Sequence, residues 1–452
     1  MSGESHAVKY KPYTMKNFME LPQVQALPEE QKFSIKVVGQ VFPFRTNRYI
    51  VDDVIQWENV PDDPVYILNF LQAGMLRPQH YEEMASVLTN GSSQEEITET
   101  ANRIRMELNP HPAGQLLHNV PILGGEILHG IQHKYRETVL FFPSQGQTCH
   151  AFCTFCFRWA QFIGIDDLKF ASREGRQLAE YVKGQPDVTD ILFTGGDPLI
   201  MRTKNIATYI EPLLEIPHLR NIRPGSKSLA YWPYRYTSDK DADNLMRLFD
   251  KVAAAGKHLT LMAHFNHYNE LQPDAVYEAT RRILNTGVQI RTQSPLLRHL
   301  NDDGDIWAEM WKEQVKMGMV PYYMFVARDT GAQHYFAVPL VEAWDIFRKA
   351  YSQVSGLSRT VRGPSMSCDP GKVQINGVAK INGKKVIVLQ AIQGRNPDWV
   401  GRPFFAKYDD KAIWMNDLEP AFGEEKFFFE DELAAMYKQD GKKMAAAMGQ
   451  CR

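Results

Sequence analysis

Five cysteines in 452 residues are too few and too unevenly placed for a disulfide framework. An excess of charge is missing too: 51 basic side chains against 53 acidic ones leave a net charge of −2. That balance excludes the electrostatic footprint of a nucleic-acid or anionic-membrane binder, so small-molecule partners are expected. No apolar run reaches membrane-spanning length, and Met1 to Lys16 holds no apolar core of signal-peptide length. A cytoplasmic location is the expectation. Hydrophobic residues make up 44% of the chain, which is ample for a large core with decoration in a chain too long for one minimal domain.

What the sequence does have is a tight group of thiols. Cys149, Cys153 and Cys156 fall in Cys149-His150-Ala151-Phe152-Cys153-Thr154-Phe155-Cys156, while Cys368 and Cys451 stand far along the chain. A four-iron cluster normally takes four thiolates. Three would leave one iron with an open coordination position where a small molecule can chelate, which is the design of a catalytic cluster. Such ligands call for a reducing compartment. A structural zinc site is the alternative, but zinc takes four closed ligands, usually from two separated pairs, and His150 is badly placed beside Cys149 to complete a set. Phe152, Phe155, Phe157 and Trp159 suit the exclusion of competing reactions, or equally ordinary packing.

Residues 1–130 read as a helical and irregular arm with proline-rich joints at Val60-Pro61-Asp62-Asp63-Pro64 and Asn109-Pro110-His111-Pro112. Such an arm would cover a site or build a homo-oligomer. From Thr138, short apolar runs alternate with amphipathic stretches. The strands fall near Thr138–Pro143, Thr189–Thr194, Asn221–Ser226, Leu259–His264, Gln289–Ser294 and Val320–Ala327. An α/β fold follows, a partial (β/α)6 TIM-like barrel over 131–350 with a divergent segment and tail over 351–452. Chemistry in such folds gathers at the C-terminal strand ends. The cysteine loop follows the first strand, Gly195, Gly196 and Asp197 the second, and Ser226 and Lys227 close the third. His264 and Gln293 end the next two. The glycines would let a ligand approach the backbone and Asp197 could accept from an ammonium, or the segment is a tight βα turn.

The CxxxCxxC spacing resembles the signature of the radical S-adenosylmethionine (SAM) enzymes. The resemblance implies a [4Fe–4S] cluster on the three cysteines and SAM chelated at the open iron, with Gly195-Gly196-Asp197 near its amino group. It also implies an electron donor such as flavodoxin or ferredoxin and a 5′-deoxyadenosyl radical that takes hydrogen from substrate. From about Asp62 to Lys372 the ordered set Val139-Leu140-Phe141, the cysteine loop, Gly195-Gly196-Asp197, Gly225-Ser226, His264-Phe265-Asn266-His267, Gln293-Ser294 and Pro321-Tyr322-Tyr323 is similar to the lysine 2,3-aminomutase family. That implies an isomerase that moves an amino group between neighbouring carbons of an amino acid, with pyridoxal 5′-phosphate (PLP) holding the nitrogen as an imine. At matching positions Lys372 would carry PLP, and Arg158 would pair with the substrate carboxylate.

The chain also departs from that family. Where the family has Pro-Gly-Gly-Gly-Gly-Lys, this chain has Cys368-Asp369-Pro370-Gly371-Lys372, with three of the four glycines missing. The arginines ahead of the first strand are replaced by Lys134 and Thr138, with Arg136 nearby. Lysine-specific members present two aspartates to the distal ammonium, and Arg328 and Ser365 stand at those positions here. A cation cannot hold an ammonium in a confined pocket, so the substrate implied is an acidic, glutamate-like amino acid rather than lysine, unless Asp329 shifts in by one residue. The family's interfacial zinc cysteines have no evident counterpart, Cys451 being alone. Two further readings remain open at this point: a PLP-independent radical SAM epimerase, dehydrogenase or other hydrogen-abstracting enzyme, and a non-catalytic iron–sulfur or zinc protein.

Overall fold

The six apolar runs form strands because each pairs β-branched and aromatic residues with neighbours that cover both faces. The structure, a computed structural model, describes residues 8–112, 118–165 and 168–450, leaving aside the side chains of 447–450. Strand β1 (Ile131–Tyr135) pairs antiparallel with β2 (Thr138–Phe141). Then β3 (Asp190–Phe193), β4 (Asn221–Ser226), β5 (His258–His264), β6 (Gln289–Leu296), β7 (Val320–Val326) and β8 (Arg362–Ser367) are added in chain order, each parallel to the last. The eighth was not among the expected strands. Antiparallel β9 (Gly371–Ile381), β10 (Lys384–Gly394) and β11 (Pro403–Lys407) extend the same sheet across the expected boundary at 350.

Helices cross between the parallel strands at Gly175–Lys183, Thr203–Leu214, Ala242–Ala254, Asp274–Leu284, Gly304–Lys316 and Leu340–Ser352. Each buries one stripe. Ala242–Ala254 buries Leu245, Met246, Leu248, Phe249 and Val252, at the three- and four-residue spacing of a helix face. It stops at Gly256, whose φ of +72° suits glycine in a left-handed helix exit.

The β1 edge of the sheet meets the β8–β9 turn through side chains. Lys134 of β1 donates to the carbonyl of Cys368 in the β8–β9 turn, and the Lys372 ammonium lies 5.8 Å from the Tyr135 ring. The C-terminal helix, Glu430–Gln450, stacks Tyr437 on His118 at 3.8 Å between centroids. A second apolar cluster, with Trp399, Phe404, Phe427 and Phe429, secures that tail. The arm supplies helices at Glu29–Val41, Pro78–Thr89 and Gln94–Glu107 and a small ribbon pairing Pro12–Thr14 with Arg45–Asn47. No helix among the described residues is long and apolar enough to cross a membrane.

Candidate active site at the C-terminal edge of the sheet

The loop after β2 has little secondary structure of its own, so its backbone groups need outside partners. The arm provides them. Tyr10 Oη donates to His150 O at 2.7 Å, Asn47 Nδ2 to the same oxygen at 3.2 Å, and Arg45 Nη1 to Cys149 O at 3.2 Å. Phe152 N donates to Arg45 O at 2.8 Å, and Thr154 is tied to Leu68 O and Ile67 O at 3.0 and 2.7 Å. Trp159 closes the segment by donating from Nε1 to Thr330 Oγ1 at 3.0 Å.

Cys149, Cys153 and Cys156 are free, half-buried thiols that the loop brings together. Burial pushes all three up, Cys149 well above the usual range and Cys156 to about 12, and each of these two is raised further by its neighbouring thiols. Thiolates crowded in this way need positive charge to bind, and iron supplies it. Among the described residues no three His, Cys, Asp or Glu side chains converge as a single metal ion would require. Cluster thiolates attach to different irons and need no such convergence. Cys368 is buried with Lys134 instead, and Cys451 lies outside the described residues.

The turn after β3 underlies the loop. A Cβ on Gly195 (φ +125°) would meet the Gln147 side chain at 2.1 Å, and one on Gly196 would meet the backbone of Thr148 at 2.5 Å. These glycines let the turn approach the stem of the cysteine loop. Asp197 N donates to Thr148 O at 2.7 Å. Its carboxylate accepts from Leu199 N at 2.9 Å, Ser226 Oγ at 2.8 Å and Lys227 N at 2.9 Å, so Asp197 ties β3 to β4. The reading as a tight turn and the reading as a ligand segment thus describe the same residues, with Asp197 Oδ1 keeping one lone pair.

His264 and Gln293 are register partners on β5 and β6, both half-buried. His264 Nε2 is buried without a partner, beside Phe155 of the cysteine loop at 5.7 Å between rings. Burial holds its pKa well below the usual imidazole range, so the ring is neutral and Nε2 or Nδ1 is free to accept.

Two guanidiniums lie beside the loop. Arg158 is buried, makes no ion pair among the described residues, and leaves Nε and Nη1 unpartnered. Its carbon Cζ sits 4.3 Å from the Phe142 ring and 4.9 Å from the Phe157 ring. Arg328 Cζ lies 5.5 Å from the same Phe157 ring and 5.8 Å from Trp414. Burial lowers Arg158 to about 9, and Arg328 adds to the effect. Asp329 approaches Arg328 Nε only to 3.6 Å, and its Oδ1 is also unpartnered. Ser365 is fully buried against Met324 O at 3.4 Å and faces the sheet backbone.

Lys372 is the second residue of β9, opposite Ser367 at the end of β8. Its amine lies 4.6 Å from the Tyr323 ring and makes no hydrogen bond among the described residues. Burial lowers its pKa to about 8, with Arg223 contributing. Gly371 keeps its place because a Cβ there would meet Gln393 O at 2.0 Å. Lys134 is lowered by burial to about 7.

The donor sets fit the groups the sequence suggested to different degrees. Three gathered thiols fit an iron–sulfur cluster. The neutral His264 beside Gln293 fits a nucleoside ligand next to it, and an unbonded, depressed lysine amine fits a carbonyl cofactor. Sequence reasoning missed Tyr10, Arg45 and Asn47, which act across more than a hundred residues, and the buried pair Lys227–Glu270 at 2.6 Å.

No family model matches the chain. It is 29% identical over 412 residues to an Aquifex aeolicus protein named "Putative L-lysine 2,3-aminomutase", covering 91% of this chain and 97% of that one. It is 27% identical over 322 residues to the L-lysine 2,3-aminomutase of Fusobacterium nucleatum, covering 70% and 69%. Among solved structures, Streptococcus suis SuiB bound to S-adenosylmethionine matches 60% of this chain and 56% of that one at 13% identity and a TM-score of 0.35, which is too slight a likeness to carry an argument. With the thiol loop and the strand-end residues in place, these relatives make the chain similar to the lysine 2,3-aminomutases along most of its length.

Proposed function

We propose that the protein is a radical SAM amino acid 2,3-aminomutase-like isomerase on a partial barrel, acting on an acidic, glutamate-like substrate rather than lysine. Cys149, Cys153 and Cys156 would hold a [4Fe–4S] cluster. Ser226, His264 and Gln293, with the Gly195-Gly196-Asp197 turn, would frame SAM, and Lys372 would carry PLP. When bound, the cluster and SAM supply a hydrogen-abstracting radical, and PLP supplies an electrophilic carbon for an amine.

The observation that carries the substrate class is the pair Arg158 and Arg328 on one Phe157 ring, with buried guanidinium nitrogens that make no hydrogen bond. Two confined cations repel an ammonium and gain from carboxylates. Arg158 would orient the α-carboxylate and Arg328 the distal one, which fixes the carbon chain between them. Phe155, Phe157 and Trp159 restrict water around it. A pKa of about 8 leaves a sizeable neutral fraction of the Lys372 amine near neutrality, as a nucleophilic lysine needs.

The test offers lysine, glutamate and neutral amino acids to anaerobically purified, reduced protein and detects β-amino acid by mass spectrometry. Glutamate-like substrates should give the most product. Lysine as the best substrate would defeat the assignment of Arg328 and bring Asp329 into the pocket. The glycines lost before Lys372 favour a second reading without PLP. Iron–sulfur absorption without a PLP band, together with SAM cleavage, would select it.

A further inference from the structure

Cys153 differs from the other two loop thiols in what its sulfur meets. Its Sγ lies 3.5 Å from the hydroxyl of Tyr231, a buried residue on the single turn Ser228–Tyr231 that follows β4. That phenol has little freedom. Asn47 Nδ2 donates to the Tyr231 carbonyl at 3.0 Å while also holding His150 O in the cysteine loop at 3.2 Å. The same arm residue therefore sets both sides of the Tyr231–Cys153 contact. The Lys227 ammonium stands 4.5 Å from the ring centroid, fixed by Glu270 Oε1 at 2.6 Å and Asn266 Oδ1 at 2.9 Å.

A sulfur bound to iron carries no proton, so in the contact with Tyr231 only the hydroxyl can donate. Hydrogen bonds to cluster sulfurs stabilise the reduced, more negative state and so raise its potential. We propose that Tyr231, oriented through Asn47 and flanked by Lys227, is a positioning residue that raises the reduction potential of the cluster by donating a hydrogen bond to the Cys153 sulfur. The inference rests on the cluster assigned under the proposed function. Tyr231 touches neither substrate nor SAM in this role and acts through Cys153 alone.

The experiment reconstitutes full-length wild type, Tyr231→Phe and a form with 3-fluorotyrosine at position 231 under anaerobic conditions. Iron and sulfide content come first, then redox titration followed by electron paramagnetic resonance. With equal iron content, Tyr231→Phe should shift the midpoint to lower potential. The fluorinated phenol is a stronger donor and should shift it to higher potential. A residue that only packs would not move the potential in opposite directions for the two changes. Unchanged potentials at equal cluster content overturn the proposal, and if Tyr231→Phe fails to assemble, an unchanged potential in the fluorotyrosine form still overturns it. Wild type that takes up no iron defeats the cluster reading itself, a distinguishable result that removes this proposal with it.

Discussion

The cysteine loop and the cationic flank beside it share one sheet edge but are built in opposite ways. The loop is tied at His150, Cys149, Phe152 and Thr154 by hydrogen bonds to arm residues. On the flank, Arg158, Arg328 and Asp329 keep buried polar atoms without hydrogen-bond partners, and the Lys372 amine lies over the Tyr323 and Tyr135 rings. A loop tied at several points is preorganised. Buried unpaired groups cost free energy until a complementary group pairs with them. Under the proposed function, the difference would separate a scaffold for a resident centre from a receptor for a molecule that comes and goes.

The scaffold side breaks most completely. Replacing Cys149, Cys153 or Cys156 by Ala should abolish iron uptake on anaerobic reconstitution and, with it, cleavage of SAM to 5′-deoxyadenosine. A four-iron cluster retained in all three single variants would mean that the loop is no scaffold for one. The receptor side should fail differently. Arg328→Asp should cut turnover of an acidic substrate by about 2–5 kcal/mol in transition-state terms, the scale for losing one partner of a buried charge pair. Uncoupled SAM cleavage should hardly change. Equal loss in both assays would show that the two halves are not separable.

Asn47 tests how far the loop depends on the arm. Asn47→Ala removes the donor to the Tyr231 carbonyl and one of two donors to His150 O. Leaving a buried acceptor unpaired costs about 1–3 kcal/mol. Denaturant unfolding of the apoprotein should register that loss before any cluster is added, and an unchanged midpoint would show that water or rearrangement replaces the bond.

The parallel strands were legible because apolar runs such as Val139-Leu140-Phe141 and Ile191-Leu192-Phe193 have few other places to go. Strand β8, Arg362-Gly363-Pro364-Ser365-Met366-Ser367, was not, since it lacks a β-branched run and carries glycine and proline. The structure shows why glycine stands there: a Cβ on Gly363 would meet Met324 O of β7 at 2.6 Å. Gly196 shows the same limit at the site. A sequence indicates that something approaches a glycine closely, but not whether it is a ligand or, as with Thr148, another stretch of the chain. The thiol loop could be read directly because its ligands are close in sequence. The contacts of Asn47, made across 103 and 184 residues, leave no local pattern to read.

The gentlest probe of the comparison is the titration of Lys372. Burial first, then the nearby Arg223, lower this amine to about 8, whereas an unperturbed lysine titrates near about 10.4. Both causes disfavour the charged form, so the side chain is protonated below about 8 and neutral above it. At pH 8 its neutral fraction is roughly a hundredfold that of an unperturbed lysine. Labelling with an amine-reactive reagent, mapped by peptide mass spectrometry and scaled to the plateau for the same residue at high pH, should therefore rise through a midpoint near 8. Scaling removes the slowing that burial imposes on any reagent. Reduction with borohydride in the presence of PLP should follow the same curve if this amine is the one that attacks the cofactor carbonyl. A midpoint near that of an unperturbed lysine would mean that the amine is solvated in solution, and the contrast between a tied loop and a flank short of hydrogen bonds would then stop short of Lys372.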